Sequence, residues 1–157
     1  MKTIKTILMI LCASFIAVNC NERDELLKFL EEPKVYGVGI SNFSRTVLNT
    51  AKARANATSQ GQCAKYVADA IDSAGVRIER EASAYQYGQN LINVGYTPIS
   101  CASTSAGDIY VIESTSKHVY GHIEIKGDDG KFYSDFKQNS SCPYSDGCGS
   151  PRCYTHD

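Results

Sequence analysis

Hydrophobic positions fall into two regimes along this chain. Cys63, Val67, Ile71 and Ala74 recur at helical spacing behind the segment Ser59-Gln60-Gly61-Gln62, and Gly75 supplies a natural helix stop. Ser59 and Gln62 have the Ser-x-x-Gln spacing of a capping box, so a helix is expected to begin near Gln60. A second box, Ser83-x-x-Gln86, opens a helix that carries Tyr87, Leu91 and Ile92 and closes at Gly95. Nearer the N-terminus, residues 24–30 are expected to form a short amphipathic helix stopped by Pro33. Residues 34–56 are weakly patterned, with Gly37 and Gly39 in a loop and a helical stretch at 47–54. Beyond Pro98 the period changes from 3.6 to 2, and strands are expected at 108–112, 121–125 and 132–136. Helices followed by a meander predict an α+β fold with an antiparallel sheet.

Gly127-Asp128-Asp129-Gly130 joins the last two of these strands as a hairpin. With Asp128-Asp129 as a two-residue loop, His122 stands opposite Asp135. With Asp129-Gly130 as the loop, Glu124 faces Asp135 and His122 lies diagonal to it. Both registers put His122, Glu124, Tyr133, Asp135 and Lys137 on one face. They leave Ile123, Ile125, Phe132, Ser134 and Phe136 as the core face. Opposite or diagonal side chains lie within roughly 4.5–8 Å, so His122 can bond a carboxylate. Asp135 is the expected partner because it approaches from the next strand, and Glu124, on the same strand as His122, is its competitor. His118 and His156 have no comparable setting. The plainer reading of His122 is an ordinary residue on a solvated face.

Lys2 and Lys5 precede an almost wholly apolar run from Ile7 to Val18, too short to span a bilayer and suited to a secretory signal peptide over residues 1–20. Ala17-Val18-Asn19-Cys20 also reads as a poor lipoprotein box with Cys20 lipidated. Under either reading Cys12 and Cys20 are lost or blocked, and five of the seven cysteines remain: Cys63, Cys101, Cys142, Cys148 and Cys153. Exported chains pair their cysteines, so an odd number leaves one free thiol. Cys142, Cys148 and Cys153 lie in a Pro-, Gly- and Ser-rich tail that can bury little and gains most from bridges. Two disulfides among the four C-terminal cysteines are expected, by any of three pairings, with Cys63 reduced.

The 157 residues, 43% hydrophobic, fit one ordinary domain over 21–157. Sixteen Lys and Arg stand against 17 Asp and Glu; without Lys2 and Lys5 the balance is 14 against 17, about −3. Such a chain has no pull toward nucleic acid or an anionic membrane. The cysteines lack zinc spacing, no Gly-rich phosphate motif is present, and neither a cofactor nor stable membrane insertion is expected. A monomer is expected.

Cys63, in the first turn of its helix, meets unpaired amides and the positive end of the dipole. That setting favours the nucleophilic thiolate, provided a base stands nearby. The plainer reading of Cys63 is a buried small hydrophobe or half of a disulfide, but parity speaks against the disulfide. A cysteine opening a helix, a strand beginning Gly121-His122, and a polar third residue on the next strand together resemble the NlpC/P60 and CHAP group of papain-like hydrolases. Residues 61–67 (GQCAKYV), 106–109 (AGDI), 121–123 (GHI) and 133–138 (YSDFKQ) resemble more closely the type VI secretion amidase effectors and their domesticated, secreted eukaryotic relatives. The resemblance covers roughly residues 60–138, and it puts the catalytic core at about 59–138. It implies a papain-like fold and a secreted antibacterial enzyme that cuts an amide bond in bacterial peptidoglycan, with Cys63 as nucleophile, His122 as base and Asp135 as orienter. The signal peptide and the Cys-rich tail depart from an injected toxin. The competing class is a disulfide-stapled, non-catalytic cell-wall-binding or inhibitor module, which would leave Cys63 without a task.

Overall fold

A computed structural model of the chain describes residues 40–156. The signal peptide at 1–20, Cys12, Cys20, the helix at 24–30 and the loop around Gly37 and Gly39 lie outside the described residues. Gly39–Asp157 forms one compact unit.

Helix α1 spans Asn42–Arg54 and starts where Ser41 Oγ accepts a hydrogen bond from the Ser44 amide at 3.1 Å. Lys52 and Arg54 in its last turn suit the negative end of the dipole. It buries Val47, Leu48 and Ala51. Helix α2, Cys63–Ser73, buries Val67, Ala68, Ala70 and Ile71. The Ser83–Gln86 capping box forms as expected on a short 3-10 turn, Ala84–Gln86, which runs into helix α3, Tyr87–Asn93.

Among the described residues, six strands form one antiparallel sheet: β1 Thr97–Ile99, β2 Ile109–Ile112, β3 His122–Lys126, β4 Phe132–Tyr133, β5 Lys137–Gln138 and β6 Pro151–Thr155. Their spatial order is β1-β6-β2-β3-β4-β5. Ile109, Val111, Ile123 and Ile125 share a core cluster with Val47, Leu48, Val67 and Ile71 of the helices. The α+β expectation is met. The tail, however, buries more than its composition suggested. β6 lies inside the sheet between β1 and β2, with Cys153 and Tyr154 buried. Cys101–Cys153 and Cys142–Cys148 are bridged and Cys63 is free, as cysteine parity required.

The β3–β4 hairpin takes neither expected register. Its loop is three residues, Asp128-Asp129-Gly130, closed by the Gly127 amide donating to Lys131 O at 2.8 Å, with Gly130 at φ +72°. A three-residue loop with a left-handed glycine in last position is the next most common hairpin after the two-residue forms. Ile125 pairs with Tyr133 and Lys126 with Phe132. The register therefore falls one residue from each alternative, and a one-residue change moves every side chain to the other face. Tyr133, expected beside His122, joins the core cluster instead.

The strand expected at 132–136 also breaks after Tyr133. The Ser134 amide donates to Phe136 O, and β5 doubles back so that Tyr133 pairs with Lys137 and Phe132 with Gln138. The turn at 134–136 is held from outside. The Asn56 amide and its Nδ2 both donate to Asp135 O, and the Lys137 amide donates to Asn56 O.

Candidate active site

The turn at 134–136 carries Asp135 away from His122 and toward the segment that precedes α2. The Asp135 side chain accepts hydrogen bonds from the Gln60 amide at 2.6 Å, the Gln62 amide at 3.1 Å and Ser59 Oγ at 3.3 Å. A fourth comes from Ser134 Oγ at 3.1 Å. The capping box expected at Ser59–Gln62 does not form. Gln62 is the N-cap without a side-chain bond, and Ser59 Oγ accepts instead from the Gly61 amide. A remote carboxylate thus performs the amide-capping work that the local motif was expected to do. Charge-assisted bonds from a carboxylate to backbone amides are also the stronger kind. The contact expected between Asp135 and His122 is replaced by this anchoring of the loop that presents Cys63.

His122 opens β3 and is 3% exposed. Its Nε2 lies 3.5 Å from Glu124 Oε2, an ion-pair distance rather than a full hydrogen bond, and two residues along the same strand face. Burial alone would push the imidazole down. Hydrogen bonding and negative charge from Cys63, with the pull of the Glu124 carboxylate at 3.5 Å, outweigh it and raise His122 to about 9. With Nε2 turned to Glu124, Nδ1 is the nitrogen left for the thiol. Glu124 is fully buried, and burial pushes its carboxyl up against the opposing pull of His122 and Gln138. Neither of its oxygens has a hydrogen-bond partner within normal distance. Gln138 Nε2 donates to Ser134 Oγ at 3.0 Å, which in turn donates to Asp135. Buried side chains therefore run from Glu124 back to the loop that carries Cys63.

The strand entry is sterically fixed. Gly121 has φ +62°, and a Cβ there would meet Ile112 O at 2.3 Å, so the residue before His122 must be glycine. Beyond the thiol lies a cleft of about 450 Å³ lined by Gly61, Gln62, Cys63, Lys65, Glu81 and Tyr120, among others. Tyr120 is 67% exposed at its edge. The set is a partly buried thiol open to a cleft, beside an imidazole held by an adjacent carboxylate. Such a set can attack a carbonyl and hand a proton to its leaving group.

Sequence reasoning brought Cys63 and His122 into view and weighed Glu124. It missed three residues. Asn56 pins the 134–136 turn, and Gln138 sits beside Glu124. Tyr144 packs its ring edge-on to His122 at 6.2 Å between centroids. The available signal for Tyr144 was an aromatic between two cysteines six residues apart.

Among solved structures, the chain is similar to the type VI effector Tae3 in its effector–immunity complex with Tai3 from Ralstonia pickettii. The TM-score is 0.66 and the identity 30%, covering 73% of this chain and 98% of that one. The selenomethionine form of the same complex gives a TM-score of 0.62 and 29% identity, over 69% and 98%. A third structure, described as similar to a lipoprotein of the NLP/P60 family from Staphylococcus aureus subsp. aureus Mu50, has a TM-score of 0.49 and 18% identity, over 76% and 44%. No family model matches the chain, and no curated protein matches it.

Proposed function

This chain belongs to the family of the type VI effector Tae3, and from that premise we propose that it is a cysteine amidase of the NlpC/P60-like kind that hydrolyses a peptide bond in bacterial peptidoglycan. The observation that carries the reading is the free thiol of Cys63 on the lining of a cleft, next to a buried His122 that has Glu124 at 3.5 Å and is raised by both neighbours. A thiolate–imidazolium pair at a cleft is the arrangement a thiol hydrolase needs.

In the first half-reaction the Cys63 thiolate attacks the carbonyl carbon of a stem-peptide or cross-link amide, forming a C–S bond. The oxyanion is received by the Cys63 backbone amide, which sits with other free amides at the start of α2. As the C–N bond breaks, His122 gives its proton to the departing amine. In the second half, His122 takes a proton from water, the hydroxide adds to the thioester, and the C–S bond breaks to release a carboxylic acid and the thiolate. Glu124 steadies the imidazolium in the first half and restores its orientation in the second. Asp135 acts at one remove, holding the Gln60 and Gln62 amides so that Cys63 is presented in register.

Two disulfides suit an oxidising compartment. No helix among the described residues is long and apolar enough to cross a membrane. The disulfides accord with a catalytic domain at 21–157 exported behind the segment at 1–20, and the same reading makes it a monomer acting outside the cell with an antibacterial role.

Muropeptide analysis of purified sacculi tests the reading. Digestion by the parent protein is expected to release stem peptides with one new amine and one new carboxylate at a single bond type. Unchanged stems, or cleavage confined to the glycan strands, would overturn it.

A further inference from the structure

The mechanism leaves one cluster beside the site unused. Residues 142–148 form a loop closed by the Cys142–Cys148 disulfide, and Tyr144 projects from it. Its ring stacks on His118 at 3.5 Å between centroids and 4° between planes. Its hydroxyl donates to Gly121 O at 3.3 Å, the carbonyl immediately before His122. His118 is tied in turn to the same loop, Nε2 to Asp146 Oδ1 at 2.9 Å, with Lys117 Nζ 3.2 Å from the other Asp146 oxygen. Residues 117–121 and 142–148 are therefore clasped together by a stack and an ion-paired network, and the second segment is closed on itself by the disulfide. On the site side, the His122 ring has the Tyr144 edge at 6.2 Å and the Phe136 ring at 6.3 Å.

We infer that Tyr144 is a positioning residue for the reaction, delivered by the Cys142–Cys148 loop to fix the plane of the His122 imidazole and to close it off from water. Three features support this. The His122–Glu124 contact is long, at 3.5 Å, so ring orientation is not secured by that carboxylate alone. Tyr144 lies close enough to the reacting groups that Cys63, Asp135 and Glu124 all add to the burial that raises its phenol. A neutral, bulky phenol tolerates that neighbourhood where a charged acceptor would not. Finally, a six-residue disulfide loop gains little from closing a long stretch of chain, so its value lies in where it holds its contents. The inference rests on His122 serving Cys63, which is the reading proposed above.

Removing the ring admits water around His122. Water weakens both the burial penalty and the pairing with Cys63 and Glu124, so the imidazole moves back toward its ordinary 6.5. The test is the pH dependence of Cys63 alkylation together with the NMR titration of His122, which need no substrate. Tyr144→Ala is expected to slow alkylation near neutral pH by roughly tenfold and to move the His122 midpoint down from about 9. The Cys142→Ser/Cys148→Ser double variant should behave likewise. Tyr144→Phe, which keeps the ring and loses only the bond to Gly121, should cost roughly threefold. Should Tyr144→Ala fail to fold, Tyr144→Leu fills the volume without an aromatic edge and carries the same expectation. An unchanged alkylation profile and His122 midpoint in the folded Ala or Leu variant would overturn the inference. On sacculi, kcat should fall with KM nearly constant. A protein that shows the alkylation effects but never cleaves sacculi would retain the clasp and lose the substrate reading.

Discussion

Asp135 and Glu124 are both fully buried carboxylates on neighbouring segments of one hairpin, and they are served in opposite ways. Asp135 receives two backbone amides and two hydroxyls. Among the described residues, Glu124 receives none at normal hydrogen-bond distance and has the His122 imidazole at 3.5 Å as its ion-pair contact. A carboxylate saturated by backbone donors is a strut, because its charge is already spent on groups that do not change during a reaction. One whose main partner is a titrating ring is poorly solvated when that ring is neutral and well served when it is charged. The second kind can follow a proton. Position in the sequence does not separate the two roles; the count of donors around each carboxylate does.

The harshest way to break this comparison is to remove the pair that Glu124 serves. Cys63→Ala should abolish cleavage of sacculi while leaving the thermal midpoint near that of the parent, because no second nucleophile stands in the cleft. His122→Ala should match it in rate. Either variant retaining substantial activity would move the chemistry elsewhere, and both are checked by amine release from purified sacculi.

Glu124→Gln should lower kcat by on the order of 10²-fold, through a loosened imidazole. It should also shift the alkaline limb. His122 is raised to about 9, so the imidazolium persists below that pH and activity should fall as pH rises through it. Glu124 is one of the causes of that raise, so its neutral replacement should bring the limb to lower pH. The carboxylate accepts no hydrogen bond at normal distance, so only the 3.5 Å ion pair with His122 is lost and stability should fall less than in Asp135→Asn.

Asp135→Asn should do the reverse. An amide oxygen can accept fewer of the bonds from Gln60, Gln62, Ser59 and Ser134, and leaving one buried donor unmet costs about 1–3 kcal/mol. Calorimetry should show a clear fall in thermal midpoint with a rate loss smaller than that of Glu124→Gln. A larger limb shift in Asp135→Asn than in Glu124→Gln would exchange the two roles. The smallest effect is expected from Asn56→Ser, which loses the side-chain bond to Asp135 O but keeps the backbone ones, and should shift the midpoint by about 1 kcal/mol of stability or less.

Much of the fold could be read from residue patterns where a single local rule governs. The period of Val67 and Ile71, the Ser83–Gln86 box, the alternation in β2 and β3 and the odd cysteine all act locally or by count. The failures share a different origin. β6 is held by pairing with β1 and β2, fifty or so residues away, and by the Cys101–Cys153 bridge, so its Pro-Arg-Cys-Tyr-Thr run carries little intrinsic strand signal. One extra loop residue at Gly130 changed the face of Tyr133, and no propensity reports a one-residue difference. Asp135 was drawn to the wrong partner because strand geometry was extended through a turn that Asn56 imposes from outside the hairpin. The sequence reading therefore drew attention to Cys63 and His122, which the fold brings together, and gave His122 a partner on a register that does not form.

The covalent step is the most direct place to test the mechanism. Acid-quenched reactions of the parent protein with soluble muropeptide, followed by intact mass measurement and peptide mapping, should show an acyl adduct on the peptide that contains Cys63. The adduct should build up further in Glu124→Gln, whose second half-reaction is slowed. Turnover by the Cys63→Ala variant, or an adduct mapped to any other residue, would contradict the account.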